Sequence, residues 1–255
     1  MTPAPVTPAA VLDLLRGARV APESGLAFDA DGTIWSGDVG DDTFHFVCER
    51  ELLREDPRDG LARVADAHGI DRVGTTSAVA LRLFEGYRRG VVAEPLMCEV
   101  MTWCYAGYRE EELATFAREA AAHTGLAERR RGALGPVFRW AADERLRTVV
   151  ISASPRVVVE TTLAVVGVTV DAIAAAVPST RDGVIVPSMA APLTYGPEKP
   201  LAGRRLLGNV DWLGSFGDNV FDLDMLRAAR VGVAVHPKPK LRERLSELTN
   251  TVVLE

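Results

Sequence analysis

Two carboxylates near the start of the chain, separated by one residue, are candidate reactive groups. Asp29 and Asp31 directly follow an apolar run, Leu26-Ala27-Phe28, and precede Gly32-Thr33. The apolar run predicts a short buried strand, and polar side chains at the carboxyl end of a strand in an open α/β sheet face a ligand crevice. An Asp-Gly pair after a strand is also typical of a simple tight turn, so this stretch alone leaves both interpretations open.

Three later segments place further polar side chains next to predicted strands or helices. Ser152 ends the apolar stretch 147–152, just before a predicted helix whose first N–H groups could bind an anion such as phosphate. Lys199 precedes another predicted helix, while Asp218 and Asp222 lie one helical turn apart after a third apolar stretch. Taken singly, Ser152 could be an ordinary helix N-cap and Lys199 a solvated surface residue.

Together these segments favour a metal site for phosphoryl transfer. Aspartates that converge without a cation repel one another and raise each other's pKa values. Mg²⁺ resolves this conflict because it prefers a few carboxylate oxygens, keeps some of its waters and coordinates substrate phosphate. Such a site is typical of phosphoryl transfer, in which the protein mainly positions the reacting groups and neutralises charge.

The elements that must position these side chains follow an α/β order. A helix over 8–18 leads to the strand that ends before Asp29, and residues 41–131 carry only helical patterns. Beyond residue 134, helices alternate with short apolar strands, which indicates βαβ units and a mainly parallel sheet. The predicted elements there are helices over 134–144, 155–166, 199–206, 220–229 and 238–247, strands over 147–152, 170–175, 212–216 and 231–235, and two short strands around Arg181-Asp182-Gly183.

This order predicts a Rossmann-like, three-layer α/β core with a mainly parallel sheet and an inserted all-α cap. We expect residues 1–39 and 131–255 to form the core and residues 40–130 to form the helical cap. The Pro-rich stretch before residue 8 is predicted to be mobile.

Composition and charge narrow the possible partners. The chain has 255 residues, of which 47% are hydrophobic and 25% charged, and this is typical of a globular protein. Its formal net charge of −6 gives no excess of positive charge for binding nucleic acid. The three cysteines lack metal-ligand spacing, no apolar run is long enough for a membrane span, and the N-terminus lacks signal-peptide features. We therefore expect a cytoplasmic protein without a nucleic-acid or membrane partner.

As a set, the four segments resemble the motifs of the haloacid dehalogenase superfamily of phosphohydrolases. They occur in the order of that superfamily, as Asp29-Ala-Asp31-Gly-Thr33, Ser152, Lys199 and Gly217-Asp218-x-x-x-Asp222. The surroundings of Ser152 and Lys199, with the Asp182-Gly hairpin between them, most resemble the phosphoserine-phosphatase-like branch with its inserted helical cap.

The resemblance implies a role for each motif residue. Asp29 is the nucleophile that forms an aspartyl phosphate, and Asp31 is the general acid/base. Aspartate at both positions implies phosphatase chemistry rather than dehalogenation. The cofactor is Mg²⁺, held by the Asp29 carboxylate, the Asp31 backbone carbonyl and Asp218, while Asp222 supports this shell.

The phosphoryl oxygens would be bound by Ser152, Lys199 and Gly32 according to the same resemblance. Lys199 would also offset the negative charge of Asp29. The partner is then a small-molecule phosphomonoester.

Substrate recognition is expected at the entrance to the cap. Asp38 occupies the place of the acidic residue that meets a substrate amine in this branch, and Trp35 offers an aromatic ring nearby. The branch's cap arginine, which takes a substrate carboxylate, has no match within 91–108. Three arginines, Arg82, Arg88 and Arg89, lie upstream. Acidic and aromatic side chains suit an ammonium group, so phosphoserine, phosphoethanolamine and phosphocholine are candidate substrates.

Two other functions stay open at this point. A phosphotransferase or mutase would pass the phosphoryl group from Asp29 to another acceptor. A catalytically silent binding module would keep the fold without the reaction, because a fold does not imply a function.

Overall fold

A computed structural model describes residues 4–255 and contains one large sheet and one hairpin. The strands are β1 (Pro5–Val6), β2 (Ser24–Phe28), β3 (Arg147–Pro155), β4 (Ala172–Ala176), β5 (Pro178–Arg181), β6 (Val184–Met189), β7 (Asp211–Gly217), β8 (Val231–Val235) and β9 (Thr251–Leu254). Seven of them form a sheet in the order β1-β9-β8-β7-β2-β3-β4. Every neighbouring pair in this sheet is parallel, whereas β5 and β6 form a separate antiparallel hairpin.

Helices cover both faces of the sheet and fill the segment between β2 and β3. They are α1 (Pro8–Ala18), α2 (Val39–Glu49), α3 (Arg58–Ala67), α4 (Thr76–Arg88), α5 (Glu94–Trp103), α6 (Glu110–His123), α7 (Gly135–Asp143), α8 (Arg156–Val165), α9 (Glu198–Leu207), α10 (Leu223–Ala228) and α11 (Pro239–Arg244). Short 3-10 turns occupy Leu126–Arg129, Gly132–Leu134, Val220–Asp222 and Leu245–Glu247. The predicted α/β class with an inserted helical block is confirmed.

The central strand β2 shows why the sheet is buried on both faces. All five of its residues are buried, as expected for a parallel strand covered by helices on both sides. Leu26 and Phe28 belong to the core cluster on the side of α1, α7 and α8, whereas Ala27 packs on the opposite side with α9 and α10. Phe28 stacks on Phe138 of α7 and on Phe216 of β7, with ring centroids 4.6 and 4.4 Å apart. This packing fixes the strand that ends at Asp29.

The helical block α2–α6 joins the core through both apolar packing and backbone hydrogen bonds. One continuous hydrophobic cluster contains buried residues of this block and of the helices on that side of the sheet. Beyond α5, Gly107 N donates to Ile185 O of β6 at 2.9 Å, and Ile185 N donates to Tyr108 O at 2.8 Å. The β5-β6 hairpin is therefore attached to the helical block. The domain limits at residues 40 and 130 stay a prediction.

The predicted elements differ from the structure mainly at the chain ends. The helix predicted over 220–229 is a 3-10 turn followed by the short helix α10, and the helix predicted over 238–247 is α11 followed by another 3-10 turn. The prediction omitted β1 and β9, which pair with each other through Pro5–Val253 and Val6–Leu254. The predicted mobility of the N-terminus is therefore wrong for residues 5–6, and for residues 1–3 it lies outside the described residues. Local periodicity cannot show a two-residue strand whose only partner is at the far end of the chain.

Within residues 4–255, no helix combines the length and the apolar character needed to cross a membrane.

Candidate active site

The carboxyl ends of four adjacent parallel strands meet at one edge of the sheet. Asp29 follows β2, Ser152 lies near the end of β3, Asp218 follows β7 and Lys238 follows β8. Asp29 N donates to Phe216 O at 2.8 Å, which holds the start of the loop after β2 against β7. The crevice outside these strand ends is the usual ligand site of an open α/β sheet.

Three aspartates form a compact, buried cluster at this edge. Asp29, Asp218 and Asp222 each have a carboxylate oxygen within 4.8 Å of the others. Their exposed fractions are only 5%, 3% and 0%. Thr33 Oγ1 donates to Asp29 Oδ2 at 3.1 Å. Gly32 has a positive φ of 80° and lies so close to Asp218 that a Cβ there would collide with the carboxylate, so glycine is required at this position.

Lys199 joins two of these aspartates. It lies in the first turn of α9, is 4% exposed and places Nζ 2.7 Å from Asp29 Oδ1 and 2.5 Å from Asp222 Oδ1. Burial alone would lower the pKa of Lys199, but the Asp222 and Asp29 carboxylates outweigh burial and raise it. The lysine is therefore a charged, buried group, and the interpretation of Lys199 as a solvated surface residue is wrong.

Asp222 accepts three internal hydrogen bonds. Its Oδ2 accepts from Asp218 N at 3.0 Å and from Asn219 N at 2.9 Å, while Oδ1 accepts from Lys199. Gly217 permits this arrangement because a Cβ there would be 2.5 Å from Asp222 Cβ. Asp222 thus shapes the loop after β7 and orients Lys199, while Asp29 and Asp218 each accept fewer hydrogen bonds and keep more free carboxylate lone pairs.

Asp31 is not part of the aspartate cluster and has three hydrogen-bond donors of its own. Its Oδ1 accepts from Trp35 Nε1 at 2.9 Å and from Val39 N at 2.8 Å. Its Oδ2 accepts from Ser154 Oγ at 2.7 Å. Trp35 is fully buried, so in this structure its ring contacts Asp31 and the core and offers no surface to a substrate.

Ser152 lies close to this arrangement but does not contact Asp31 directly. It is 1% exposed, and its Oγ accepts from Ser154 N at 3.1 Å. Because β3 continues to Pro155, the two serines sit on an extended segment and not in the first turn of a helix. Neither serine is the N-cap of α8, since the residue at that position is Pro155.

The charge of the cluster fits a hard divalent cation. Burial and the neighbouring Asp222 raise the pKa of Asp29, and Lys199 only partly offsets this effect. Burial and Asp222 raise the pKa of Asp218 to about 6, although Lys238 Nζ lies 3.0 Å from Asp218 Oδ2. Buried carboxylate oxygens with excess negative charge are the donor set that Mg²⁺ prefers.

Two residues of this site were absent from the prediction. Lys238 contacts Asp218 through both its ammonium group and its backbone N, which donates to Asp218 O at 2.8 Å. Ser154 contacts Asp31. The position of Lys238 just beyond a predicted strand was a usable signal, because strand ends meet at this edge. The Asp31 partner of Ser154 is 123 residues away and had no signal in the sequence.

Acidic side chains also line the start of α2 beside Asp31. Asp38 is the N-cap of α2, and its Oδ1 accepts from Asp41 N at 2.9 Å. Burial and the negative charges of Asp31 and Asp41 raise the pKa of Asp38 well above its usual range. Burial and the negative charges of Asp31 and Asp42 raise the pKa of Asp41 to about 7.

The upstream arginines differ in their surroundings. Arg82 is engaged by backbone carbonyls, with Nε 2.8 Å from Asp71 O and a second bond from its guanidinium group to Val73 O. Arg88 is exposed at the end of α4 and is near enough to Asp41 for its charge to lower the pKa of that carboxyl group, against the stronger effects that raise it. Of these two, Arg88 is the arginine whose charge acts on Asp41.

Comparisons with known proteins agree with this geometry. The chain matches a model of the haloacid dehalogenase-like hydrolase family over residues 26–227. No curated protein matches it in sequence.

Solved structures resemble the chain in fold at low sequence identity. A protein with unknown function from Bordetella pertussis Tohama I has a TM-score of 0.69 at 20% identity, covering 91% of this chain and 98% of that one. A substrate-bound phosphoserine phosphatase has a TM-score of 0.55 at 13% identity, covering 90% and 92%. A cytosolic 5'-nucleotidase IIIB bound to cytidine has a TM-score of 0.56 at 14% identity, covering 99% and 88%.

The family match begins in β2, before Asp29, and extends beyond Asp222, so it includes all four motif segments. The chain shares its fold with phosphoserine phosphatases. The chain therefore belongs to the haloacid dehalogenase-like hydrolases.

Proposed function

We propose that this protein is a Mg²⁺-dependent phosphomonoesterase that forms an aspartyl phosphate on Asp29. The observation that carries the proposal is the buried cluster of Asp29, Asp218 and Asp222, with Lys199 bridging two of the three. A buried nucleophile beside a fixed cation, next to lone pairs suited to a divalent ion, is what phosphoryl transfer requires.

The first step transfers the phosphoryl group to the protein. An Asp29 carboxylate oxygen attacks phosphorus, and the bond between phosphorus and the ester oxygen breaks. The leaving oxygen takes a proton from Asp31. Ser152, Lys199 and the backbone at Gly32 bind the phosphoryl oxygens, and Lys199 keeps its charge throughout because two carboxylates raise its pKa.

The second step releases inorganic phosphate. Asp31 accepts a proton from water as the water oxygen attacks phosphorus, and the bond between phosphorus and Asp29 breaks. Mg²⁺, when bound by Asp29, Asp218 and the Asp31 backbone carbonyl, would neutralise charge on the transferred group. Asp222 supports the site by accepting hydrogen bonds from Lys199 and from two backbone N–H groups.

The helical segment 40–130 is the cap in this proposal. The acidic side chains at the start of α2, Asp38 and Asp41, favour an amine-bearing substrate. Asp38 and Asp41 have raised pKa values, so a bound ammonium group would stabilise their charged forms. Burial also raises the pKa of Glu94 at the start of α5. Phosphoserine, phosphoethanolamine and phosphocholine carry such a group, and Trp35 plays no part in binding it because its ring is buried.

Phosphate release from a panel of monoesters tests the proposal. The panel comprises phosphoserine, phosphoethanolamine, phosphocholine, a sugar phosphate and a nucleoside monophosphate, each with Mg²⁺ and with EDTA. We expect Mg²⁺-dependent release, highest with an amine-bearing ester, and nearly complete loss in Asp29→Asn. Asp224→Asn is the matched control, since Asp224 pairs with Arg227 at the surface, 2.7 Å away.

Three outcomes would contradict the proposal in different ways. Undiminished turnover by Asp29→Asn would refute the nucleophile. Loss of substrate without equivalent inorganic phosphate would show a phosphotransferase. Binding of the esters without turnover would show a silent binding module.

A further inference from the structure

Ser154 contacts both a proposed phosphate-binding residue and the proposed acid/base. Its backbone N donates to Ser152 Oγ at 3.1 Å, and its own Oγ donates to Asp31 Oδ2 at 2.7 Å. Residue 40 leaves room for this hydroxyl group because it is a glycine, since a Cβ there would be only 2.9 Å from Ser154 Oγ. Ser154 therefore connects β3 to Asp31 in the loop after β2.

The two oxygens of Asp31 differ in the kind of donor that each accepts. Oδ1 accepts from two N–H groups, those of Trp35 and Val39. An N–H group only donates, so a proton on Oδ1 would face two fixed donors. Oδ2 accepts from a hydroxyl group, which can rotate and can either donate or accept.

We propose that Asp31 exchanges protons through Oδ2 and that Ser154 is the positioning residue for this oxygen. This inference rests on the proposed phosphatase reaction. Trp35 and Val39 hold Oδ1 as the oxygen without a proton. Ser154 donates to Oδ2 while Asp31 is a carboxylate, and its hydroxyl group turns away when Oδ2 directs its proton to the leaving oxygen.

A series of aryl phosphates with leaving groups of graded basicity tests this inference. The value of kcat/KM reports the steps up to leaving-group departure, and poor leaving groups such as phenolate need a proton more than 2,4-dinitrophenolate does. We expect Ser154→Ala to lower kcat/KM for phenyl phosphate by about tenfold to a hundredfold. For 2,4-dinitrophenyl phosphate, we expect a change of less than about twofold.

Two further variants separate positioning from a general structural effect. Ser154→Thr keeps a hydroxyl group on an extended segment that accommodates β-branched residues, and it should restore most of the lost kcat/KM. The double variant Asp31→Asn/Ser154→Ala should be no slower than Asp31→Asn alone. If Ser154→Ala melts below the assay temperature, Ser154→Cys gives the same comparison, because a thiol is only a weak donor.

Ser215→Ala is the matched control, since the Ser215 hydroxyl is buried and has no hydrogen-bond partner among residues 4–255. It should leave the leaving-group dependence unchanged. An equal loss of kcat/KM across the whole series in Ser154→Ala, or no loss at all, would overturn the inference. Absence of hydrolysis by the unmodified protein would instead refute the proposed function.

Discussion

Lys199 and Asp29 form a buried ion pair, with 2.7 Å between Nζ and Oδ1, although 170 residues separate them in the chain. The same ammonium group lies 2.5 Å from Asp222 Oδ1. One cation thus serves two carboxylates, which orients the proposed nucleophile and leaves the cluster with net negative charge. We therefore expect this ion pair to affect both the stability of this edge of the sheet and the proposed binding of Mg²⁺.

Replacing Lys199 should cost both stability and activity. Lys199→Met leaves Asp29 and Asp222 buried without their cation, so we expect the free energy of unfolding to fall by about 3–5 kcal/mol. Urea denaturation measures this loss. Adding Asp222→Asn should recover part of the stability, because it removes one uncompensated negative charge. It should not recover activity, because the Lys199 ammonium group is still absent. Exposed Lys240 provides the control variant Lys240→Met, and an equal loss there would contradict the prediction.

Mg²⁺ should stabilise the folded protein in the absence of substrate. A ligand that binds only the folded state adds about 2.7 kcal/mol to the free energy of unfolding at a hundred times its Kd. We therefore expect the melting temperature to rise with Mg²⁺ concentration and to return to its starting value with EDTA. Asp218→Asn should abolish the shift because it removes a carboxylate with free lone pairs, whereas surface Asp224→Asn should keep it. If Asp218→Asn showed the full shift in melting temperature, Mg²⁺ would bind at a different site, which would contradict the prediction.

The stability contributed by Asp41 should fall as the pH rises. Its pKa is raised from 3.8 to about 7 by burial and by the negative charges of Asp31 and Asp42. Between these pH values the folded state binds more protons at Asp41 than the unfolded state does, so the free energy of unfolding falls as pH increases from about 4 to about 7. Asp41→Asn removes this dependence.

The variant should therefore gain stability relative to the unmodified protein by about 1–3 kcal/mol more at pH 7.5 than at pH 4. Urea denaturation at several pH values measures the difference. Asp13→Asn is the control, because the Asp13 side chain is 76% exposed. A gain in Asp41→Asn that does not depend on pH would contradict the raised pKa.

Trp35→Phe should impair catalysis more than it impairs folding. Phenylalanine keeps most of the buried ring but removes the Nε1 donor to Asp31 Oδ1. We expect a loss of about tenfold in kcat on an alkyl monoester and little change in KM, since the substrate does not contact this ring. Trp212→Phe is the matched control. It removes a similar buried bond, from Trp212 Nε1 to Gly214 O at 3.2 Å, near the amino end of β7 and away from the site. Similar kinetic losses in both variants would argue against a specific role for Trp35.

The sequence by itself determined the α/β class, the inserted helical segment and the strand-end positions of the acidic residues. These features depend on local apolar periodicity and on short motifs, which neighbouring residues carry. Asp29, Asp218 and Asp222 could be expected to meet because parallel strands end at the same edge. The sequence could not distinguish a buried Lys199 from a solvated one.

Only the tertiary structure decided which partners each of these groups has. It placed Lys199 between two carboxylates, buried the Trp35 ring against Asp31, brought Ser154 to the second oxygen of Asp31 and brought Lys238 to Asp218. It also paired β1 with β9 across the length of the chain. Each of these contacts joins segments whose separation or side-chain direction depends on packing of the whole sheet, so no local pattern in the sequence could specify it.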